Sequence, residues 1–241
     1  MKNFVQRTCL LILLIAGLRY GLTPQPTFAR ELRFDKPITQ GDTNAEHPRV
    51  ALTFDACQTA RHTAGFDRAI LDVLQRTQTP ATVFLGGLWM QSHISATRAL
   101  AASPWIELAN HSWSHLDFTK ISSTTMQAEL VKTQNEMMDL VGRKPTLFRF
   151  PYGRFNDAAL RVVRANGLIP VQWDVVSGDP SRGNSAKRLL ARVISHAHDG
   201  SIIIMHINGR GWHSAEALPQ IIATLKAQGF AFVTVSDLLH P

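Results

Sequence analysis

Asp55, His111, His115, Arg149, Asp179 and His206 can bind a metal or move a proton, and all lie near the ends of apolar runs. The segments are Leu52-Thr53-Phe54-Asp55, His111-Ser112-Trp113-Ser114-His115, Arg149-Phe150-Pro151-Tyr152-Gly153, the stretch Asp174 to Asp179, and Ile204-Met205-His206. Parallel strands in a (β/α) barrel bring their carboxyl ends to one face, and that face holds the active site. A carboxylate, paired histidines, an arginine, further acids and a third histidine converging there would equip a metal-assisted hydrolase.

No member of the set carries that reading alone. On a helical turn, the spacing of His111 and His115 would put both imidazoles on one side, where they could share a metal. The same spacing suits solvated or structural histidines. Asp55 alone could cap a helix, and His206 alone could be a hydrogen-bonded core residue. Arg149, if buried, needs a partner, and Asp55 is a natural one.

The elements that would position these groups are legible from Arg49 onward. Short runs rich in Val, Ile, Phe and Leu predict strands at Val50–Phe54, Thr82–Leu85, Trp105–Ala109, Thr146–Phe150, Leu168–Trp173, Ser201–Met205 and Phe230–Val235. Helical spacing predicts helices over Phe66–Arg76, Thr124–Val141, Asp157–Ala165, Ala186–Ala197 and Ala215–Ala227. Asn156 is a cap for the third, and Gly142 and Gly167 close the second and third. Strand–helix alternation implies an α/β fold: a distorted (β/α) barrel of seven or eight strands in a single domain. A doubly wound open sheet is the alternative.

Composition narrows the setting. Lys2 and Arg7 precede the apolar run Cys9 to Leu18, and Thr27-Phe28-Ala29 resembles a small-residue cleavage site. Residues 1–29 are therefore expected to be a signal peptide, 30–47 a lead-in segment and 48–241 the domain. The expected location is secreted or periplasmic, with membrane attachment only if the signal stays uncleaved. Removing residues 1–29 takes away three basic residues and no acid, so the formal charge falls from +7 to +4. With no basic run or aromatic-basic platform, no nucleic-acid partner is expected. Cys57 would be the lone mature cysteine, which excludes an intrachain disulfide and reads as a small buried residue.

Taken together, the segments resemble the polysaccharide deacetylases of the NodB type, carbohydrate esterase family four, from about Arg49 to Leu239. The family's His-Ser/Thr-x-x-His and Arg-x-Pro-Tyr-Gly match His111 to His115 and Arg149 to Gly153 in full. Its Thr-Phe-Asp-Asp stands as Thr53-Phe54-Asp55-Ala56, its Asp-Trp as Asp179-Pro180, and its Leu-x-His as Ile204-Met205-His206. The resemblance implies that His111 and His115 hold a divalent metal, usually zinc. It makes Asp55 the general base, positioned by Arg149. The backbone N–H of Tyr152 would help hold the oxyanion, and His206, oriented by Asp179, would protonate the leaving amine.

Two departures stand out. Ala56 replaces the aspartate that is normally the third protein ligand. The substitutes considered are Asp67 at the start of the next helix, Asp55 itself, waters on an open site, and, least favoured, Cys57; loss of the metal is the other outcome. Pro180 removes an aromatic wall, which Trp113, Trp173 or Trp212 could replace. The expected function is exported, metal-dependent removal of N-acetyl (or O-acetyl) groups from a polysaccharide: peptidoglycan, a chitin-like oligomer or poly-N-acetylglucosamine. The alternatives are a catalytically silent glycan-binding protein and a metal-independent amidohydrolase.

Overall fold

A computed structural model describes residues 36–43 and 46–239. The expected signal peptide lies outside the described residues. In chain order the elements are β1 (Arg49–Ala56), α1 (Arg68–Arg76), β2 (Ala81–Leu85), α2 (Gly87–Ser92), α3 (Ile94–Ala102), β3 (Ile106–Asn110), α4 (Ser123–Val141), β4 (Leu147–Phe148) and α5 (Asp157–Ala165). There follow β5 (Ile169–Pro170), β6 (Val175–Val176), α6 (Ala186–His196), β7 (Ser201–His206), α7 (Ser214–Ala227), β8 (Ala231–Phe232) and α8 (Val235–Leu239).

The strands pair in parallel in the order β5-β4-β3-β2-β1-β7-β6, with β8 against the start of β1. This is the expected distorted (β/α) barrel. β1 is buried along its length after Arg49, as a strand covered on both faces must be. Its alternate residues go to different layers. Val50, Leu52, Phe54 and Ala56 join the core with Leu71, Leu85 and Leu218. Ala51 instead joins Phe84, Ala109, Val171 and Ile202 in a second cluster. A third cluster, with Phe118, Phe148, Phe150 and Leu160, packs beneath α4 and α5. Each Val, Leu, Ile or Phe side chain among these, fully buried, stabilises the fold by about 1.5–3 kcal/mol.

Among the described residues the sheet path runs from β5 to β6 without closing. Part of the expected lead-in segment contributes here. Ile38 bridges in parallel to Val171, and Gln40 bridges antiparallel to Ser201. The Ile38 N–H donates to the Pro170 carbonyl at 2.9 Å, and the Gln172 N–H donates to the Ile38 carbonyl at 2.7 Å.

Caps set the helix starts. Asp67 Oδ1 accepts from the Ala69 N–H, Ser122 Oγ from that of Thr125, and Asn156 Oδ1 from that of Ala159. Each such cap contributes about 0.5–2 kcal/mol. Gly142, at φ 66, ends α4 in the left-handed conformation glycine tolerates best. α2 and α3 fall where no helix was expected. They are short, and the non-helical His93 separates them. Gly87 lets the Trp113 indole pack directly on α2, since a Cβ there would meet the ring.

Register brings the chemistry together. Asp55 lies opposite His206 on one side and Phe84 on the other, and Leu85 lies opposite Asn110. The Arg149 N–H bonds the Asn110 carbonyl at 3.0 Å. Strand ends from β1, β3, β4 and β7 therefore meet at one mouth. No helix among the described residues is long and apolar enough to cross a membrane.

Candidate active site

Arg149 is completely buried at the end of β4. Its Nη1 donates to Asp55 Oδ1 at 2.8 Å and its Nη2 to the Gln172 carbonyl at 3.1 Å, while the guanidinium lies 3.9 Å from the Phe84 ring centroid. A buried guanidinium without a counter-charge would cost several kcal/mol, so the pair explains both burials. Burial pushes the Asp55 carboxyl up. The neighbouring His111, Arg149 and His206 charges and the Arg149 hydrogen bond outweigh it, leaving the carboxyl below its ordinary range. Asp55 is thus an ionised base in a dry setting.

His111 directly follows β3, and its Nδ1 lies 2.9 Å from the Arg149 carbonyl. A carbonyl only accepts, so Nδ1 carries the proton and Nε2 keeps its lone pair. Nε2 is buried without a hydrogen-bond partner and lies 3.5 Å from Asp55 Oδ2. The His115 ring meets the His111 ring edge-on at 5.0 Å.

The two imidazoles do not share a helical turn, as their spacing had suggested. They converge through a loop in which Ser112 and His115 adopt φ 64 and φ 59. The side chain of Asn110 accepts from the Ser112 N–H, Ser112 Oγ from the His115 N–H, and Glu129 from the N–H and hydroxyl of Ser114. These bonds hold a backbone shape that non-glycine residues rarely adopt. Burial, followed by the His111 charge, lowers His115 to about 3. Burial also lowers His111. Both rings are therefore neutral donors near pH 7.

Opposite them, His206 Nδ1 lies 2.9 Å from Asp179 Oδ1, and the His206 main-chain N–H donates to Asp179 Oδ2 at 2.6 Å. Ser177 and Ser214 hydroxyls also donate to Asp179, which is fully buried. Burial alone would lower His206. The Asp179 hydrogen bond and charge, with the charge of Asp55, raise it above its ordinary value. One end of the cleft thus keeps histidines neutral while the other favours an imidazolium.

A cavity of about 300 Å³ joins these groups, and Asp55, Cys57, His115, Tyr152, Trp173 and His206 all line it. A neighbouring groove of about 560 Å³ shares His115 and Tyr152. Tyr152 is exposed, held at φ 59, with its ring edge against His115.

Some expected residues lie elsewhere. Trp113 is buried on Gly87, beneath the Lys132 ammonium, and lines neither cavity. Trp173 supplies an aromatic wall beside Pro180 instead. Asp174 bonds Ser201 and Ile202 at the start of β7, away from the strand ends. Asp67 is engaged as the α1 cap.

Cys57 joins the two histidines. Its sulfur and one ring nitrogen each from His111 and His115 lie within 4.8 Å of one another. Asp67 is not in this group. The signal was strand parity: Cys57 follows Asp55 by two and shares its face, whereas Ala56 packs in the opposite layer. Burial, and then the charge of Asp55, pushes the metal-free Cys57 thiol well above its usual range. The orphaned lone pair on His111, a neutral His115 and a nearby sulfur suit a divalent metal.

Residues 42–171 match the family model described as polysaccharide deacetylase. The chain is 34% identical over 191 residues to the peptidoglycan-N-acetylglucosamine deacetylase PgdA of Listeria monocytogenes, a match covering 79% of this chain and 38% of that protein. The chain therefore spans well under two thirds of that relative. Among solved structures, it is similar to a CE4 family pseudoenzyme from Bacillus anthracis, at 26% identity and TM-score 0.76, covering 85% of this chain and 69% of that one. It is also similar to the peptidoglycan deacetylase PdaC of Bacillus subtilis, at 32% identity and TM-score 0.69, covering 82% of this chain and 91% of that one.

Proposed function

The chain belongs to the polysaccharide deacetylase family, and from that premise we propose that it is an exported, zinc-dependent enzyme removing N-acetyl (or O-acetyl) groups from an envelope polysaccharide, with peptidoglycan foremost. The observation that carries this is the division of labour in one cavity. An ionised Asp55 is held by Arg149, an Asp179-paired His206 stands nearby, and two neutral histidines face them.

His111 and His115 would hold the ion. When bound, it supplies Lewis acidity that brings the pKa of water towards ~7 and polarises the acetyl carbonyl. Asp55 accepts the proton of the attacking water, and Arg149 fixes the carboxylate for that transfer. The protonated His206 gives its proton to the departing nitrogen, so acetate and an amine leave together. Asp179 keeps the other ring nitrogen protonated, directing Nε2 to the reaction. The Tyr152 N–H would contribute to the oxyanion site.

The test is acetate release from peptidoglycan, chitin oligomers and poly-N-acetylglucosamine, before and after chelation and zinc return. Zinc-restored release supports the reading, whereas full release by chelated protein removes metal dependence. Glycan binding without turnover is a second reading, motivated by Ala56 and by the similarity to a pseudoenzyme. Stoichiometric glycan binding with no acetate from any substrate would establish it.

A further inference from the structure

The side chain at position 56 is a methyl group with no donor atom. Ala56 is fully buried with Phe54, Leu52 and Leu85. Cys57, by contrast, lines the reaction cavity and lies 8% exposed beside His111 and His115. We infer that Cys57 Sγ is the third protein ligand of the metal, in place of the carboxylate that Ala56 lacks; this rests on the metal-dependent reading above.

Two observations besides the cysteine point the same way. His111 is buried, and its Nε2 has no hydrogen-bond partner and lies 3.5 Å from Asp55 Oδ2, so its lone pair is free for a metal. Asn208 is fully buried, and its Nδ2 donates to the Cys57 carbonyl at 2.7 Å and reaches Sγ at 3.6 Å. The residue thus has a dedicated support that fixes its backbone and gives its sulfur a donor. Supports of this kind orient metal ligands elsewhere.

The spacing is compatible. Zn–S near 2.3 Å and Zn–N near 2.0–2.1 Å place sulfur and nitrogen roughly 3.6 Å apart in a tetrahedron. The three donor atoms lie within 4.8 Å of one another, so small side-chain rotations complete the set. A fourth position stays available for water or substrate, as catalytic zinc sites require. Asp55 is the competing donor, but Arg149 already holds one of its oxygens.

The experiment loads the full chain with cobalt(II) and zinc. Cobalt-substituted wild type should show an intense near-ultraviolet thiolate-to-metal band, absent in Cys57→Ser and Cys57→Ala. Zinc affinity should fall by at least about tenfold in both variants, the loss expected of a protein ligand. Circular dichroism of the variants checks their fold. The wild-type spectrum decides the question even if both misfold. Stoichiometric cobalt without that band would overturn Cys57 ligation while leaving the metal reading intact. No cobalt or zinc bound by wild type would overturn both.

Discussion

Asp179 grips His206 at two points: one carboxylate oxygen takes the ring Nδ1–H at 2.9 Å, and the other takes the main-chain N–H at 2.6 Å. A rotation of the carboxylate would lose both bonds. The histidine is thereby fixed in position, tautomer and charge by a single residue.

Asp179→Asn removes the anion that favours the imidazolium. The His206 pKa, raised in the native protein, should fall. Turnover needs protonated His206 and declines as pH rises through that pKa. The alkaline limb of kcat/KM should therefore move to lower pH in the variant. An unmoved limb would mean that another group is the acid.

Gly211→Ala tests the same grip without replacing a titratable group. A Cβ there would meet Asp179, Ser214 and the His206 carbonyl. Turnover should fall by up to about 10²-fold, as misplacement near 1 Å can cause. Bound zinc, measured by elemental analysis, should be unchanged.

Asp55→Asn keeps shape and removes the base. Deacetylation should drop by at least ~10²-fold, and the melting temperature should fall, because the buried Arg149 loses its counter-charge. Wild-type turnover in this variant would reassign the base.

Arg149→Met strands the Asp55 charge in a buried site. Loss of a buried partner costs about 3–5 kcal/mol, readable as a lower denaturant midpoint. Without the guanidinium, the Asp55 carboxyl should titrate higher, so the acid limb of the rate profile should move up in pH. Arg149→Lys should not rescue it, because an ammonium cannot reproduce the fork that holds both Asp55 and the Gln172 carbonyl.

Much of this site was readable from the chain because buried strand ends have strong local signals. Leu52 to Asp55 and Ile204 to His206 each couple an apolar run to one polar terminus, and register aligns the two. β6 was not readable, since two residues carry no period. The loop joining His111 to His115 mimicked helical spacing because left-handed turns at Ser112 and His115 bring the rings together instead. Trp113 and Trp173 could not be ranked by type, as their roles depend on whether Gly87 or the cavity lies opposite. Cys57 carries no motif of its own, and only the strand parity of β1 sets it on the face of Asp55.

The central place of β1 carries a kinetic consequence. The Thr53 hydroxyl bonds the Ile203 carbonyl across a separation of 150 residues, and β7 pairs with Val50 to Asp55 on that side. During synthesis at about 5–20 residues per second, that flank waits roughly 8–30 s for its partner. Through that interval RVALTFDA is an apolar, β-prone template with one open edge, the kind of segment that invites pairing with other chains. Folding should accordingly be slow and concentration-sensitive, with Asp55 meeting His206 only when the last third of the chain arrives.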